Sequence, residues 1–381
     1  MTANQVKHSL SSIISEFSKT SWLFLRDPAK DFTRKRKLCF QDVVFLLLSM
    51  EAKSTPNELI DYFKCAADMP TPSALRQQRD KILPEAFEFL FREFAGMRDD
   101  TALYRGYRLL AVDGSDLAIA PDPSDSDSYY PGTVGKKHYG LLHLNAFYDL
   151  QLKTYVDALV QKSRKANEQR ALCDMVDRSD FQNAIVIADR GYEGYNALAH
   201  IQEKGWKFLF RIKDNACGIA AGLTLPDSDT FDVSFSLKLS NKLTTVITNL
   251  DYPPDELMRL YAMRWGIETS FRDLKYTIGL SAFHSKKVEH ILQEIFARLT
   301  MYNFAEHVIA CMVIQRGNKK YAYQVNFSAA VHICREFLRG NVHPPDVEAL
   351  LARFISPVRP DRKQMRKLAP KGFVGFLYRV A

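Results

Sequence analysis

The chain has 381 residues, is 46% hydrophobic and 12% aromatic, and carries a formal net charge of +8, the profile of a globular protein with room for two or three folded units. No run approaches the roughly 18 apolar residues of a membrane-spanning helix, the longest candidate being Val43 to Met50, and Met1 to Lys19 lacks the apolar core and cleavage site of a secretory signal. Six cysteines (Cys39, Cys65, Cys173, Cys217, Cys311, Cys334) include no C-x-x-C pair, which argues against a zinc knuckle or a disulfide framework and for reduced, cytosolic thiols. Residues 1–40 hold eight Lys/Arg against three acids and residues 357–381 hold seven against one, so the ends carry +5 and +6 and the body between them −3. Two basic ends on a mildly acidic body suit a nucleic-acid binder, although basic tails also serve solubility alone.

From Gln41 to Phe94 apolar residues recur at three- and four-residue intervals, which predicts helices. Thr71 followed by Pro72 and Ser73 reads as an N-cap with Pro in the first helical turn. The helix that follows presents Arg76, Gln77, Arg79 and Lys81, compatible with either a helix-turn-helix-like reader or a plain helical cap with a basic face. After Asp100 the period changes. Tyr107 to Val112, Leu141 to Phe147 and Thr154 to Gln161 read as strands, then come a helix at Asn167 to Arg178, a buried strand at Ala184 to Ala188, a helix at Gly194 to Lys204 and a strand at Lys207 to Lys213. Three strands, a helix, a strand, a helix and a strand is the order of a ribonuclease-H-like fold, in which the first and fourth strands lie side by side. Pro121 to Gly135 is a Pro-, Ser-, Asp- and Gly-rich loop between the first two strands, ending in Lys136, Lys137, His138 and Tyr139. Residues 215–251 depart from the alternation, with β-like runs at Phe231 to Leu237 and Leu243 to Thr248. From Ile314 the chain reads as a helical end followed by an arm rich in Arg, Lys and Pro.

Two apolar runs deliver an aspartate at what read as strand ends: Leu109 to Val112 before Asp113, Gly114, Ser115 and Asp116, and Ile185 to Ala188 before Asp189, Arg190, Gly191 and Tyr192. The glycines suggest turns. On neighbouring strands Asp113 and Asp189 would face one crevice, whereas Asp116, three residues on, would point to the opposite side of an extended strand. A third carboxylate comes from a later helix. At about 100° per residue, Tyr261, Arg264, Glu268 and Lys275 fall within an arc of roughly 60°, beside the apolar stripe of Leu260, Ile267, Phe271, Leu274 and Ile278 and opposite Arg259, Ala262, Thr269 and Asp273. Within that helix Trp265 is expected to pack rather than to stack on DNA. Clustered Asp113, Asp189 and Glu268 would repel one another unless divalent cations hold them, and hard oxygen ligands favour Mg²⁺ or Mn²⁺. Two such ions suit in-line phosphoryl displacement, with Arg264 and Lys275 neutralising phosphate and Tyr261 bonding phosphate or stacking on a base.

Tyr261, Arg264, Glu268 and Lys275 match the Tyr-x2-Arg-x3-Glu-x6-Lys signature at every spacing, and the chain resembles bacterial insertion-sequence transposases of the DDE superfamily, IS-four-type group. The resemblance extends to Asp113 in Asp-Gly-Ser, Asp189 in Ala-Asp-Arg-Gly-Tyr and Thr248-Asn249-Leu250, and covers roughly Ser73 to Phe304. It implies an α/β, ribonuclease-H-like mixed sheet flanked by helices with a small β-rich insertion and an N-terminal all-helical domain. The corresponding division is a DNA-binding domain over 1–100, a catalytic domain over 101–213 and 255–315, an insertion over 214–254 and a C-terminal helical region with a basic arm over 316–381. It further implies cut-and-paste transposition: Mg²⁺-dependent cleavage at inverted-repeat ends by Asp113, Asp189 and Glu268, Mn²⁺ substituting, and joining of 3′-hydroxyls to target DNA. Tyr261, Arg264, Lys275 and Arg190 would contact double-stranded DNA, in a homodimer on the nucleoid, with no membrane. Two other readings share some of these features: a catalytically silent DNA-binding descendant, and a ribonuclease-H-like repair or recombination nuclease.

Overall fold

A near-continuous apolar sequence is what a strand buried on both faces requires, and Ala184 to Ala188, buried at every position, is such a strand. It lies in a computed structural model that describes residues 1–34, 36–97, 101–133, 135, 137–211, 235–239, 242–246, 250–312, 321–358 and 377–378. These form two compact units, 98–116 with 142–271, and 1–97 with 117–141 and 272–381.

The main sheet contains β1 (Arg108–Ile119), β2 (Tyr129–Tyr130), β3 (Tyr139–Asp149), β4 (Thr154–Lys162), β5 (Ala184–Ala188) and β6 (Lys207–Phe210) in the order β2-β3-β1-β5-β6, with β4 also paired to β3. β3 and β4 are antiparallel, while β5 runs parallel to both β1 and β6. The first and fourth strands of the predicted order are therefore neighbours, and the β4-β3-β1-β5-β6 succession is that of the ribonuclease-H-like fold. Parallel strands need crossovers, supplied by α6 (Glu168–Arg178) and α7 (Tyr195–Glu203). Leu172, Met175 and Val176 of α6 and Leu198 and Ile201 of α7 pack with Leu110, Val112, Val186 and Ala188 on one sheet face. Toward the other face come α8 (Pro254–Met263) and α9 (Trp265–Asp273), where the Tyr155 hydroxyl is 2.8 Å from Ser270 Oγ and its ring 5.9 Å from that of Phe271. The β-like runs of the insertion include an antiparallel hairpin, β7 (Phe235–Leu239) with β8 (Lys242–Val246); Thr248, Asn249 and Cys217 lie outside the described residues.

In the other unit, α1 (Ala3–Lys19) is capped by Thr2 and buries Ala3, Val6, Leu10, Ile14 and Phe17. Residues 3–19 of the basic N-terminal stretch are thus a packed amphipathic helix. α2 (Phe40–Ser49), α3 (Thr55–Tyr62), α4 (Pro72–Arg79) and α5 (Glu85–Ala95) follow, and Thr71 caps α4 by accepting from the Ala74 N–H, as the Thr-Pro spacing predicts. The long α10 (Val288–Ala310) is packed by α1, α2, α5 and α11 (Phe327–Leu338). β9 (Ala282–Phe283) pairs with β12 (Leu377–Tyr378), and β10 (Ala322–Val325) with β11 (Ile355–Val358) after α12 (Asp346–Arg353). Most of the basic C-terminal arm falls outside the described residues.

Every residue of α10 from Gln293 to Ala305 is buried, so its polar side chains need partners inside the protein. Glu294 receives Arg79 at 3.0 Å, Arg298 at 3.1 Å and His284 Nδ1 at 3.0 Å, and His284 Nε2 lies 3.6 Å from Glu58. Arg79 is consumed by this network and does not face a DNA groove. Burial alone would raise the Glu294 carboxyl, but His284, Arg79 and Arg298 hold it well below the usual range. Removing one partner of such a cluster strands the others, so Glu294→Ala should lose about 3–5 kcal/mol of stability in chemical denaturation. A loss under about 1 kcal/mol would mean that the cations of the network are solvated or compensated by Glu58.

Candidate active site

Parallel pairing aligns Arg108 with Ala184 through to Val112 with Ala188. The next residues along the two strands are Asp113 and Asp189, and strand alternation turns both away from the face held by Val112 and Ala188. Asp113 is not at a strand end, because β1 continues through it to Ile119; Asp189 does follow the last residue of β5. Asp113 accepts the Gly114 N–H at 2.9 Å and Asp189 the Arg190 N–H at 2.7 Å.

Glu268 lies in the first turn of α9, where the buried Ile267 and Phe271 fix its side of the helix. The predicted single helix is broken. α8 ends at Met263, Arg264 is a turn residue, α9 starts at Trp265, and Leu274–Ile278 is a π-helical turn. The π-turn departs from the 100° per residue assumed from Tyr261 to Lys275. Lys275 falls in that turn, within the unit that holds residues 272–381. The apolar stripe is as expected: Leu260, Ile267, Phe271, Leu274 and Ile278 are all buried. Trp265 is exposed, contrary to the packing role expected of it.

Arg264 joins the acids. Its side chain is only 4% exposed, and its guanidinium lies 2.7 Å from Glu268, 3.7 Å from Asp113 and 4.0 Å from Asp189. The Tyr261 hydroxyl sits 3.4 Å from Asp189 Oδ1, and the guanidinium stacks 5.6 Å from the Tyr261 ring and 5.5 Å from that of Trp265. Arg264 Nε is buried with no hydrogen-bond partner among the described residues. Arg190 is exposed. Burial, with Glu268 and Glu168 nearby, pushes Asp113 up to about 6, against the opposing pull of the Gly114 N–H and Arg264.

Among the described residues no three His, Cys, Asp or Glu side chains converge closely enough to ligate one ion as they stand; the guanidinium lies among the three acids. The donor set nevertheless suits divalent cations. It is all carboxylate oxygen, and three acids against one guanidinium leave a net −2, the charge one such ion would neutralise.

Two further polar residues, His143 and Glu168, went unrecognised in the sequence. His143 Nδ1 is 2.7 Å from Asp116 and its Nε2 is 3.2 Å from Glu168. Burial would lower the imidazole, but the two carboxylates hold it up to about 9. The available signal was a His and an Asn alternating in the apolar run Leu142-His143-Leu144-Asn145 of β3. Asp116 is thus paired on the side of β1 away from Asp113.

The sequence profile of the family described as Transposase DDE domain matches residues 104–304. That is more than half of the chain, and the chain belongs to this family. The transposase InsG for insertion sequence element IS4 of Escherichia coli (strain K12) is 22% identical over 312 residues, covering 72% of this chain and 70% of that one. Among solved structures, a cryo-EM piggyBac transposase synaptic complex with hairpin DNA is 10% identical at a TM-score of 0.46, covering 95% of this chain and 87% of that chain. The protein is a DNA transposase of the DDE type, an enzyme of metal-dependent DNA cleavage and strand transfer.

Because the Asp113 carboxyl is raised from 3.8 to about 6 in the folded chain, the folded state binds the extra proton between those values, and stability falls as pH rises through them. Asp113→Asn removes this cost. At pH 7 in chelator the variant should gain about 1–3 kcal/mol, an advantage that vanishes below about pH 4. A variant no more stable than its parent at pH 7 would show that the ionised Asp113 is held without strain.

Proposed function

We propose that this transposase moves an insertion sequence by cut and paste, with Asp113, Asp189 and Glu268 as its catalytic, metal-binding residues. The observation that carries this reading is the uncompensated charge on one sheet face, three carboxylates gathered around a single guanidinium. The three acids would hold Mg²⁺, with Mn²⁺ able to substitute. When bound, the ions supply activation of a water or 3′-hydroxyl and stabilisation of the leaving oxygen.

Arg264 is a fork with one edge on Glu268 and a buried Nε without a partner among the described residues, which suits a phosphate oxygen next to the reacting bond. Tyr261, beside Asp189, presents a hydroxyl to the same phosphate or a ring to an unstacked base. Arg190, exposed directly after Asp189, and Lys275 are assigned to the DNA backbone on the strength of the motifs they occupy. The substrate is double-stranded DNA, both the inverted-repeat ends of the element and the target. Two copies act together in the DNA complex, in the cytoplasm and on the nucleoid. Residues 1–100 are assigned to DNA binding and 316–381 to assembly and a basic arm.

The test is a plasmid carrying the gene's own flanking DNA, incubated with Mg²⁺ and the wild type or Asp113→Asn, Asp189→Asn or Glu268→Gln. Each variant should lose cleavage and joining by more than about 100-fold, with end binding in a gel shift within about threefold of the wild type. Cleavage without joining by the wild type would favour a nuclease, and equal loss of binding and cleavage would remove the metal assignment.

A further inference from the structure

Both aspartate motifs carry a glycine, and neither Gly114 nor Gly191 adopts the left-handed backbone that would call for one. What they share is a neighbour. A Cβ on Gly114 would lie 2.7 Å from Glu168 Oε1 and 2.5 Å from His143 Nε2, and a Cβ on Gly191 would lie 3.0 Å from Glu168 Oε2. The Glu168 carboxylate therefore rests against the backbone of both motifs at once. It does so in a cleft of about 560 Å³ that it shares with Asp116 and His143.

Several contacts hold it there. Glu168 is the first residue of α6, whose N-terminus favours an anion, and Asn167 caps that helix by accepting the Arg170 N–H at 2.9 Å. His143 lies 3.2 Å from Glu168 and is anchored on its other nitrogen by Asp116 at 2.7 Å. Along β1, Gly114 and Asp116 share the parity of Val112, so this group stands behind the strand that presents Asp113 on its other face.

We propose that Glu168 is a positioning residue for the transposition reaction. Braced by His143 and Asp116, its carboxylate sets the spacing of the Asp113 and Asp189 backbones from the far side of the sheet, and with it the affinity of the site for divalent cations. This rests on the metal-binding reading of Asp113, Asp189 and Glu268. Groups behind a ligand shell commonly carry about 10–100-fold of metal affinity, and Glu168 touches the peptide next to one ligand and the turn after another.

The test is a Mn²⁺ titration of the full chain without DNA, followed by the paramagnetic resonance of free Mn²⁺, for the wild type, Glu168→Gln, Gly191→Ala and Asp113→Asn. Glu168→Gln keeps the shape and loses the charge that pairs with His143; Gly191→Ala keeps the charge and displaces it. Both should weaken Mn²⁺ binding by about tenfold with unchanged circular dichroism, and cleavage by both should recover when Mn²⁺ is raised by the same factor. If Asp113→Asn loses the ions while both test variants bind within twofold of the wild type, the proposal is overturned and the metal reading stands. If Asp113→Asn binds Mn²⁺ as the wild type does, the metal reading falls and the proposal with it.

Discussion

The parallel pairing of β1 with β5 is the constraint from which the candidate site follows. Val112 opposite Ala188 makes Asp113 and Asp189 adjacent and puts both on one side of the sheet. Side chains alternate along a strand, so a slip of one residue would send one aspartate to the α6 face and bury an aliphatic residue in its place. Register is held here because α6 and α7 already fill one face against Leu110, Val112, Val186 and Ala188, where an aspartate has no place. The third acid depends on the same sheet from outside it, since α9 docks through Phe271 and Ser270 on Tyr155.

The two units treat buried charge differently. Around α10, Glu294 and Glu58 are met by Arg79, Arg298 and His284, so the acids are matched by cations at hydrogen-bonding or near distance, as low-dielectric surroundings demand. Around Arg264 the balance fails by two negative charges, and burial first, with Glu268 and Glu168 adding to it, raises Asp113 to about 6. A structural ion cluster gains nothing from such a deficit; a site that takes up divalent cations gains affinity from it. Stability is given up at the candidate site, a common pattern at active sites.

Much of the unit that holds the candidate site was legible because its signals are local. Strand periodicity and helix spacing yielded the order of elements along the chain, and fold analogy made neighbours of the two strands whose apolar runs lead into Asp. The spacing from Tyr261 to Glu268 survived the helix break because Arg264 keeps right-handed helical dihedrals between α8 and α9. The π-turn that holds Lys275 was not foreseen, since no residue of Leu274 to Ile278 announces one. The N-terminal helix was obscured by its charges, because counting Lys7 and Lys19 hides an apolar stripe from Ala3 to Phe17. Glu168 and His143 were missed for another reason: their partners lie more than 20 residues away in sequence, and a Glu at a helix start or a His in a strand carries no sign of what stands opposite. The glycine after Asp113 was misread as a turn, since β1 runs through it, whereas Gly191 does sit in the turn after Asp189; at both, the missing side chain makes room for Glu168.

The geometry also gives a reason for an arginine at position 264. A lysine is a point charge and could satisfy one acid; a planar guanidinium can face Glu268 along one edge, stay within 4.0 Å of Asp113 and Asp189, and lie against the rings of Tyr261 and Trp265. The rings shield the cation from water and strengthen its pull on the carboxylates. Trp265 then has a reason to stay at the surface, since its ring covers the outer side of a charge that would otherwise be hydrated. Tyr261, Arg264, Trp265 and Glu268 act as one electrostatic unit, in which the break between α8 and α9 falls at the residue that reaches all three acids.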